Sequence, residues 1–360
     1  MGRSLALSSR KLIEHFASME DAKTVSNDGA IFLLSGESHL LDQKAWSLML
    51  ASKAPSTWKK YQAEFKKFEN WALERNLRSL PASVITVIRY LSWKSEGKAA
   101  GALATASAAI SAFHKIRGLP SPCADSRVGA LLEGARRTFS KPVTQKTPLT
   151  KEIIRDLWEQ EVGSDMGGSI LSWRNCWLVN LMFRTCARFA DVRRLKRDNF
   201  RFEPSGLSVF FQFRKNDQRG NGHTIKILKS DSKWCFVKLT KLYFDKLANL
   251  RGKKKSPVIP KILRTRRKGE LSVYPHVCAT DNACRTEFYE SLTRIDQDCD
   301  KFGLHSAKIG GVVHLRNAGI SWRSINDHVG WAKNSVMPER YAKAACNETD
   351  KLDNILSLYD

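Results

Sequence analysis

Leu207-Ser-Val-Phe-Phe-Gln-Phe213, then Arg214-Lys-Asn-Asp-Gln-Arg-Gly-Asn-Gly-His223, then Thr224-Ile-Lys-Ile-Leu228, is the clearest β signal in the chain. The two outer segments have the length and the aromatic and β-branched content of strands. The polar stretch between them holds Gly220 and Gly222, which supply a hairpin turn. Around this hairpin the spacing is helical, at 151–160 and 169–184 before it and at 236–250, 283–302, 306–318 and 322–329 after it. A mostly helical domain with a small antiparallel sheet is therefore expected over residues 151–345.

Upstream the pattern is helical throughout. Trp58, Tyr61, Phe65, Phe68 and Ala72 recur at intervals of three and four, one face of a helix that Ser56 or Thr57 can cap. A second helix begins at Pro81, an alanine-rich third spans 99–116, and a fourth spans 126–139. These make a four-helix domain over residues 51–140. Residues 141–150, with two prolines in Ser140-Lys-Pro-Val-Thr-Gln-Lys-Thr-Pro-Leu-Thr150, read as a linker. Residues 1–50 have weak periodicity and read as a partly ordered arm. Residues 346–360 form a C-terminal tail.

The charge narrows the partner. The chain of 360 residues carries 60 Lys+Arg against 36 Asp+Glu, a net charge of +24. Residues 1–50 are nearly neutral, so the excess falls on both domains, and a polyanion gripped by both accounts for it. Lys59, Lys60, Lys66 and Lys67 lie off the apolar stripe of their helix. With Arg136, Arg137 and Lys253-Lys254-Lys255 they are candidate DNA contacts. The last three belong to a basic run at 251–268 without an acid, which also reads as a nuclear address or a solvated loop.

No run of about 18 apolar residues is present, so no helical membrane span is expected. The polar start, Met1 to Ser9, does not read as a secretory signal. Eight scattered cysteines without a CxxC pair imply reduced thiols, an intracellular protein (nuclear in a eukaryote), and no zinc site or other cofactor.

Four segments of the second domain carry side chains suited to phosphoryl transfer. Arg188, in Thr185-Cys-Ala-Arg188-Phe-Ala-Asp191-Val-Arg-Arg-Leu195, offers a planar fork for two phosphate oxygens, although alone it reads more simply as an ion pair with Asp191. Lys215 stands in the hairpin loop, where it could insert an ammonium into a groove or merely be solvated. His305-Ser-Ala-Lys308 lies at a helix start, a setting that favours an anion. Ser306 could equally be a cap there beside a packed histidine. Gly330-Trp331 precedes Tyr341 by about ten residues, and these two aromatics also read as core.

Taken together, the order and spacing of these segments resemble the tyrosine recombinases, or phage-type integrases, over residues 52–345. The family's first arginine box is matched at Thr185, Arg188, Asp191, Val192 and Leu195, with Cys186 where glycine is usual. The loop that begins at Lys215 looks like that of recombinases from Crypton and DIRS-type mobile elements. His305 and Lys308 fall on the family's H-x-x-R box, Trp331 on its His/Trp position and Tyr341 on its nucleophile.

The resemblance implies a helical, SAM-like core-binding domain, a linker and an α+β catalytic domain that together clamp double-stranded DNA. It further implies a homotetramer during recombination and metal-free strand exchange through a 3′-phosphotyrosyl link. Arg188, Lys308 and Trp331 would hold the phosphate, Lys215 would protonate the leaving 5′ oxygen, and His305 would assist proton transfer. Lys308 departs from the family arginine and loses its bidentate fork. A slow recombinase, or a domesticated DNA-binding protein of the same fold, is therefore the alternative. An RNA-binding or scaffold protein has little support, since the chain has neither an RNP-type strand motif nor a glycine-rich phosphate loop.

Overall fold

The computed structural model describes residues 37–341 apart from 98–99, 140–144, 164–166, 216, 218–219, 251–252, 265–269, 332–334, 336 and 339–340. The chain divides into two compact units, Met1–Val143 and Thr144–Asp360. Most of the expected arm, residues 1–36, and the tail at 346–360 lie outside the described residues.

The first unit contains helices α1 (Glu37–Ala51), α2 (Pro55–Leu73), α3 (Val84–Ser95), α4 (Ala100–Lys115) and α5 (Ser126–Phe139). The expected stripe of α2 is its buried face, with Trp58, Phe65, Phe68, Trp71 and Ala72 in the core and Tyr61 at the edge. Phe65 stacks on Phe113 of α4 with centroids 4.1 Å apart. Such aromatic pairs add about 0.5–1.5 kcal/mol beyond their area burial.

Three local details differ from the sequence reading. The end of the expected arm is helical, because Leu50 enters the core and its carbonyl accepts from Trp58 Nε1 at 2.6 Å. Pro55 starts α2 by its fixed φ, without a side-chain cap from Ser56 or Thr57. The next helix starts at Val84 rather than Pro81, because Ser83 Oγ accepts from the Thr86 N–H at 3.0 Å.

The second unit holds α6 (Lys151–Val162), α7 (Ile170–Thr185), α8 (Phe189–Val192), β1 (Phe200–Glu203), β2 (Gly206–Phe211), β3 (His223–Leu228), α9 (Phe236–Asn249), β4 (Pro260–Arg264), β5 (Leu271–Cys278), α10 (Asp281–Arg294), α11 (Leu304–Asn317) and α12 (Trp322–Val329). Helix α7 runs through the centre and is buried along almost its whole length. Its Trp177 packs on Phe200, Phe236, Tyr243 and Phe244, and the indole N–H donates to Thr240 at 3.1 Å. Buried Arg174 is held by Glu287 of α10 and by the Pro260 carbonyl at 2.5 Å. A buried charge needs that much company.

Among the described residues two small antiparallel sheets are present. The order β1-β2-β3 has Phe200 opposite Val209 and Val209 opposite Ile225, and β4 pairs with β5. β1 is only four residues long and β4 lies inside the basic run, so neither announces itself by alternation. The expected helix over 283–302 breaks after Arg294. Asp296 turns left-handed (φ 54) and a 3-10 turn follows at Cys299–Lys301. From Thr147 onward the proline-rich stretch is fastened to the second unit, with Thr147 N–H on the Lys301 carbonyl at 2.8 Å and Leu149 N–H on that of Ser306 at 3.1 Å. Among the described residues no helix is long and apolar enough to cross a membrane.

Candidate active site

A small separate apolar cluster joins Cys186, Ile309, Val312, Ile325, Val329, Trp331 and Tyr341. The candidate side chains gather around it, brought there by the end of α7, the start of α11 and the turn after α12. Cys186 ends α7 in the left-handed region (φ 47, ψ 30), where glycine is the favoured residue. The chain then reverses, and Arg188 stands at the N-cap of α8. Its guanidinium lies 3.9 Å from the buried Asp191 carboxylate, and its own N–H donates to that carboxylate at 3.4 Å. The ion pair read from the sequence exists, and it steadies Arg188 rather than consuming it.

Helix α11 starts at Leu304, two residues earlier than expected. Ser306 is therefore not its cap but lies within the first turn, its Oγ accepting from the Gly303 N–H at 3.1 Å. Close packing sets the position of α11. A Cβ on Gly310 would lie 2.0 Å from the Leu149 carbonyl oxygen. On Gly311 it would lie 2.0 Å from that of Phe183 and 2.9 Å from Cys186 Sγ. Gly311→Ala is expected to destabilise by at least about 1–3 kcal/mol, with Tm falling about 2–4 °C per kcal/mol. Thermal unfolding checks this; an unchanged Tm would mean that α11 can shift freely.

Lys308 is 1% exposed, with Nζ 5.2 Å from the Trp331 ring centroid and 6.0 Å from that of Tyr341. Those two rings stack at 5.2 Å. Among the described residues the buried Trp331 indole N–H has no partner, a donor in want of an acceptor. The Tyr341 hydroxyl lies 3.4 Å from His305 Nε2.

The electrostatics follow from crowding cations around this cluster. Burial first, then Arg188, pulls Lys308 down to about 7. His305 still meets solvent on one side. Desolvation of its inner side, then Lys308, Arg188 and Lys215, pulls it down to about 4, which leaves its ring neutral and able to accept a proton. Burial pushes Tyr341 up to about 12 against the pull of Arg188. An anion entering this site would relieve the repulsion among the cations.

The structure thus brings Arg188, Lys215, His305, Lys308, Trp331 and Tyr341 to one place. Lys215 is itself exposed on the loop, within electrostatic reach of His305. The DNA-contact candidates lie on other elements. Lys59, Lys60, Lys66 and Lys67 are exposed on α2, Arg136 and Arg137 on α5, and Lys253, Lys254 and Lys255 between α9 and β4. Lys66, Lys67, Arg136 and Arg137 each pair with a glutamate of their own helix.

Sequence reasoning missed Arg214. It is 4% exposed, and its Nε lies 3.9 Å from the same Asp191 carboxylate. Its position directly after the strand-like run that ends at Phe213 was the available signal, but it looked like part of a polar loop.

Known proteins share this arrangement of elements. The XerH site-specific recombinase, in a post-cleavage complex with palindromic difH substrate, superposes with a TM-score of 0.57 at 13% identity, covering 98% of this chain and 95% of that one. Its pre-cleavage complex with difH gives 0.54 at 12% identity, covering 98% and 96%. The chain has the tyrosine-recombinase fold. In sequence it is 26% identical over 219 residues to an integrase/recombinase, a xerD homologue of Selenomonas ruminantium, covering 59% of this chain. The match spans 62% of that relative's length. No family model matches the chain.

Proposed function

We propose that this protein is a site-specific DNA recombinase or integrase that cuts and rejoins DNA through a 3′-phosphotyrosyl intermediate. The observation that carries this is the Tyr341 hydroxyl against neutral His305, beside Arg188 and Lys308 and the unpartnered indole N–H of Trp331. In the reaction His305 accepts the phenolic proton as Tyr341 Oη bonds to phosphorus. The bond from phosphorus to the 5′ oxygen breaks, and Lys215 gives that oxygen a proton. Arg188, Lys308 and Trp331 hold the non-bridging oxygens as charge builds on them. Double-stranded DNA is the partner, with a homotetramer during strand exchange and a mobile element as the source. Such work lies inside the cell, in the nucleus of a eukaryote.

DNA binding is expected to depend steeply on salt and to need the basic surfaces of both units. Between about 50 and 200 mM salt the affinity should fall by roughly 10³-fold if about six phosphates are contacted. A titration that shows residues 146–360 alone binding as tightly as the whole chain would contradict this. The second reading, a DNA-binding protein that keeps the fold without the chemistry, rests on Lys308 in the arginine position. A nicked suicide duplex separates the two, because only an active enzyme accumulates a covalent adduct.

A further inference from the structure

Both stems of the Lys215 loop are fastened to one helical turn. Arg214 Nη1 donates to the carbonyl of Val329 at 2.7 Å, and His223 Nε2 donates to the carbonyl of His328 at 3.0 Å. These are consecutive carbonyls at the C-terminus of α12, groups that a helix leaves without internal partners. They stand immediately before Gly330 and Trp331. Gly330 closes the turn in the left-handed region (φ 68), and a Cβ there would lie 3.1 Å from Arg214 Nη1 and 3.4 Å from the His223 ring. The loop stems and the turn are therefore packed together with little room between them.

Arg214 also reaches the other side of the site. Its Nε lies 3.9 Å from the Asp191 carboxylate that steadies Arg188, and its guanidinium sits 4.7 Å over the Phe211 ring. The described residues of the loop brace one another. Arg214 and Asp217 exchange backbone hydrogen bonds of 3.2 and 3.0 Å, and the Asp217 carboxylate accepts from the N–H groups of Gly220, Asn221 and Gly222. The turn is anchored in its own right, with His328 Nε2 donating to the Arg184 carbonyl at 2.8 Å. Burying a guanidinium rarely adds net stability over a well-packed apolar side chain. Here it joins the loop of Lys215, the holder of Arg188 and the turn of Trp331.

We propose that Arg214, assisted by His223, is a positioning residue that fixes the Lys215 ammonium relative to Arg188 and Trp331. The proton donor for the leaving oxygen and the phosphate ligands are then set by one rigid connection. This rests on the recombinase reading of the site. It assigns Arg214 no contact with DNA; its effect passes through Lys215.

A duplex with sulfur in place of the 5′-bridging oxygen tests the proposal. A thiol is far more acidic than an alcohol, so sulfur leaves without a donated proton. Single-turnover adduct formation is measured for the native chain, Lys215→Ala, Arg214→Met and Arg214→Lys, with a melting curve for each. On the oxygen duplex Lys215→Ala and Arg214→Met should each fall by about 10²-fold or more. On the sulfur duplex both should return to within about tenfold of the native rate. Arg214→Lys keeps the charge and much of the packing but loses the fork. It should show the same rescue from a smaller loss, which keeps the test open if the Met variant folds poorly. Arg214 variants as slow on sulfur as on oxygen, or a full rate for Arg214→Met on oxygen, would overturn the inference while leaving the recombinase reading intact. A native chain that forms no adduct on either duplex removes that reading and the inference with it.

Discussion

Tyr341→Phe is expected to abolish covalent capture of DNA and to leave DNA binding unchanged. The proposed nucleophile is the one atom removed, and loss of a nucleophile alone can lower a rate by about 10⁶-fold, to background. The ring remains, so its stacking on Trp331 at 5.2 Å and its place in the apolar cluster survive. The lost contact is the one at 3.4 Å to His305, a long hydrogen bond to a residue of α11 that solvent can reach. Tm should therefore move little. The measurement is denaturing-gel capture on a nicked duplex, beside a binding titration at the same salt. An adduct that persists in the Phe variant would place the nucleophile elsewhere, with Tyr359 the next candidate in sequence. Binding lost together with capture would mean that Tyr341 serves the fold.

Different physical signals made different parts of this molecule legible. The aromatic stripe from Trp58 to Ala72 could be read from its helical period, and the central hairpin from the length and the aromatic and β-branched content of its strands, since β2 is buried at five of its six positions. Helix α7 illustrates the limit of that method. It is buried at nearly every position, polar Asn175 and Asn180 included, so its amphipathic signal is weak. β4 was hidden because its Lys261 and Arg264 belong to a run that reads as charge, while Pro260 and Ile262 are buried. The candidate site was legible only through the family resemblance, whose motif order marked six residues on several elements, His305 and Lys308 both on α11. Arg214 was not legible, because its role depends on Val329 and Asp191, contacts at long sequence separation that no local pattern encodes. Cys186 was visible as a departure from glycine, but not its consequence, a left-handed residue packed against Gly311.

Lys308 should make the reaction fail with rising pH in a way that arginine would not. Its ammonium is held down to about 7 by burial and by Arg188, so in the DNA-free protein it is discharged above neutrality. The rate constant at limiting DNA reports groups of the free enzyme. It should therefore fall about tenfold per pH unit above about 7. Lys308→Met removes the cation at every pH and should lower adduct formation by about 10²–10³-fold at about pH 6.5. Lys308→Arg keeps its charge throughout, so the alkaline fall disappears and the variant overtakes the native chain at about pH 9. Near pH ~6.5 it should be slower, because the larger fork must enter a place where lysine is already 1% exposed. Stability runs the other way. The unfolded lysine titrates near ~10.4, above the folded group, so the unfolded state binds more protons between about pH 7 and 10 and stability rises with pH across that window. Below about pH 7 the folded chain carries the full penalty of a buried charge. Lys308→Met should accordingly raise Tm at about pH 6, with the gain fading towards about pH 10. A destabilised Met variant at about pH 6, or a native rate that stays level from about pH 6.5 to 9, would show that Lys308 is not a charge held ready for phosphate.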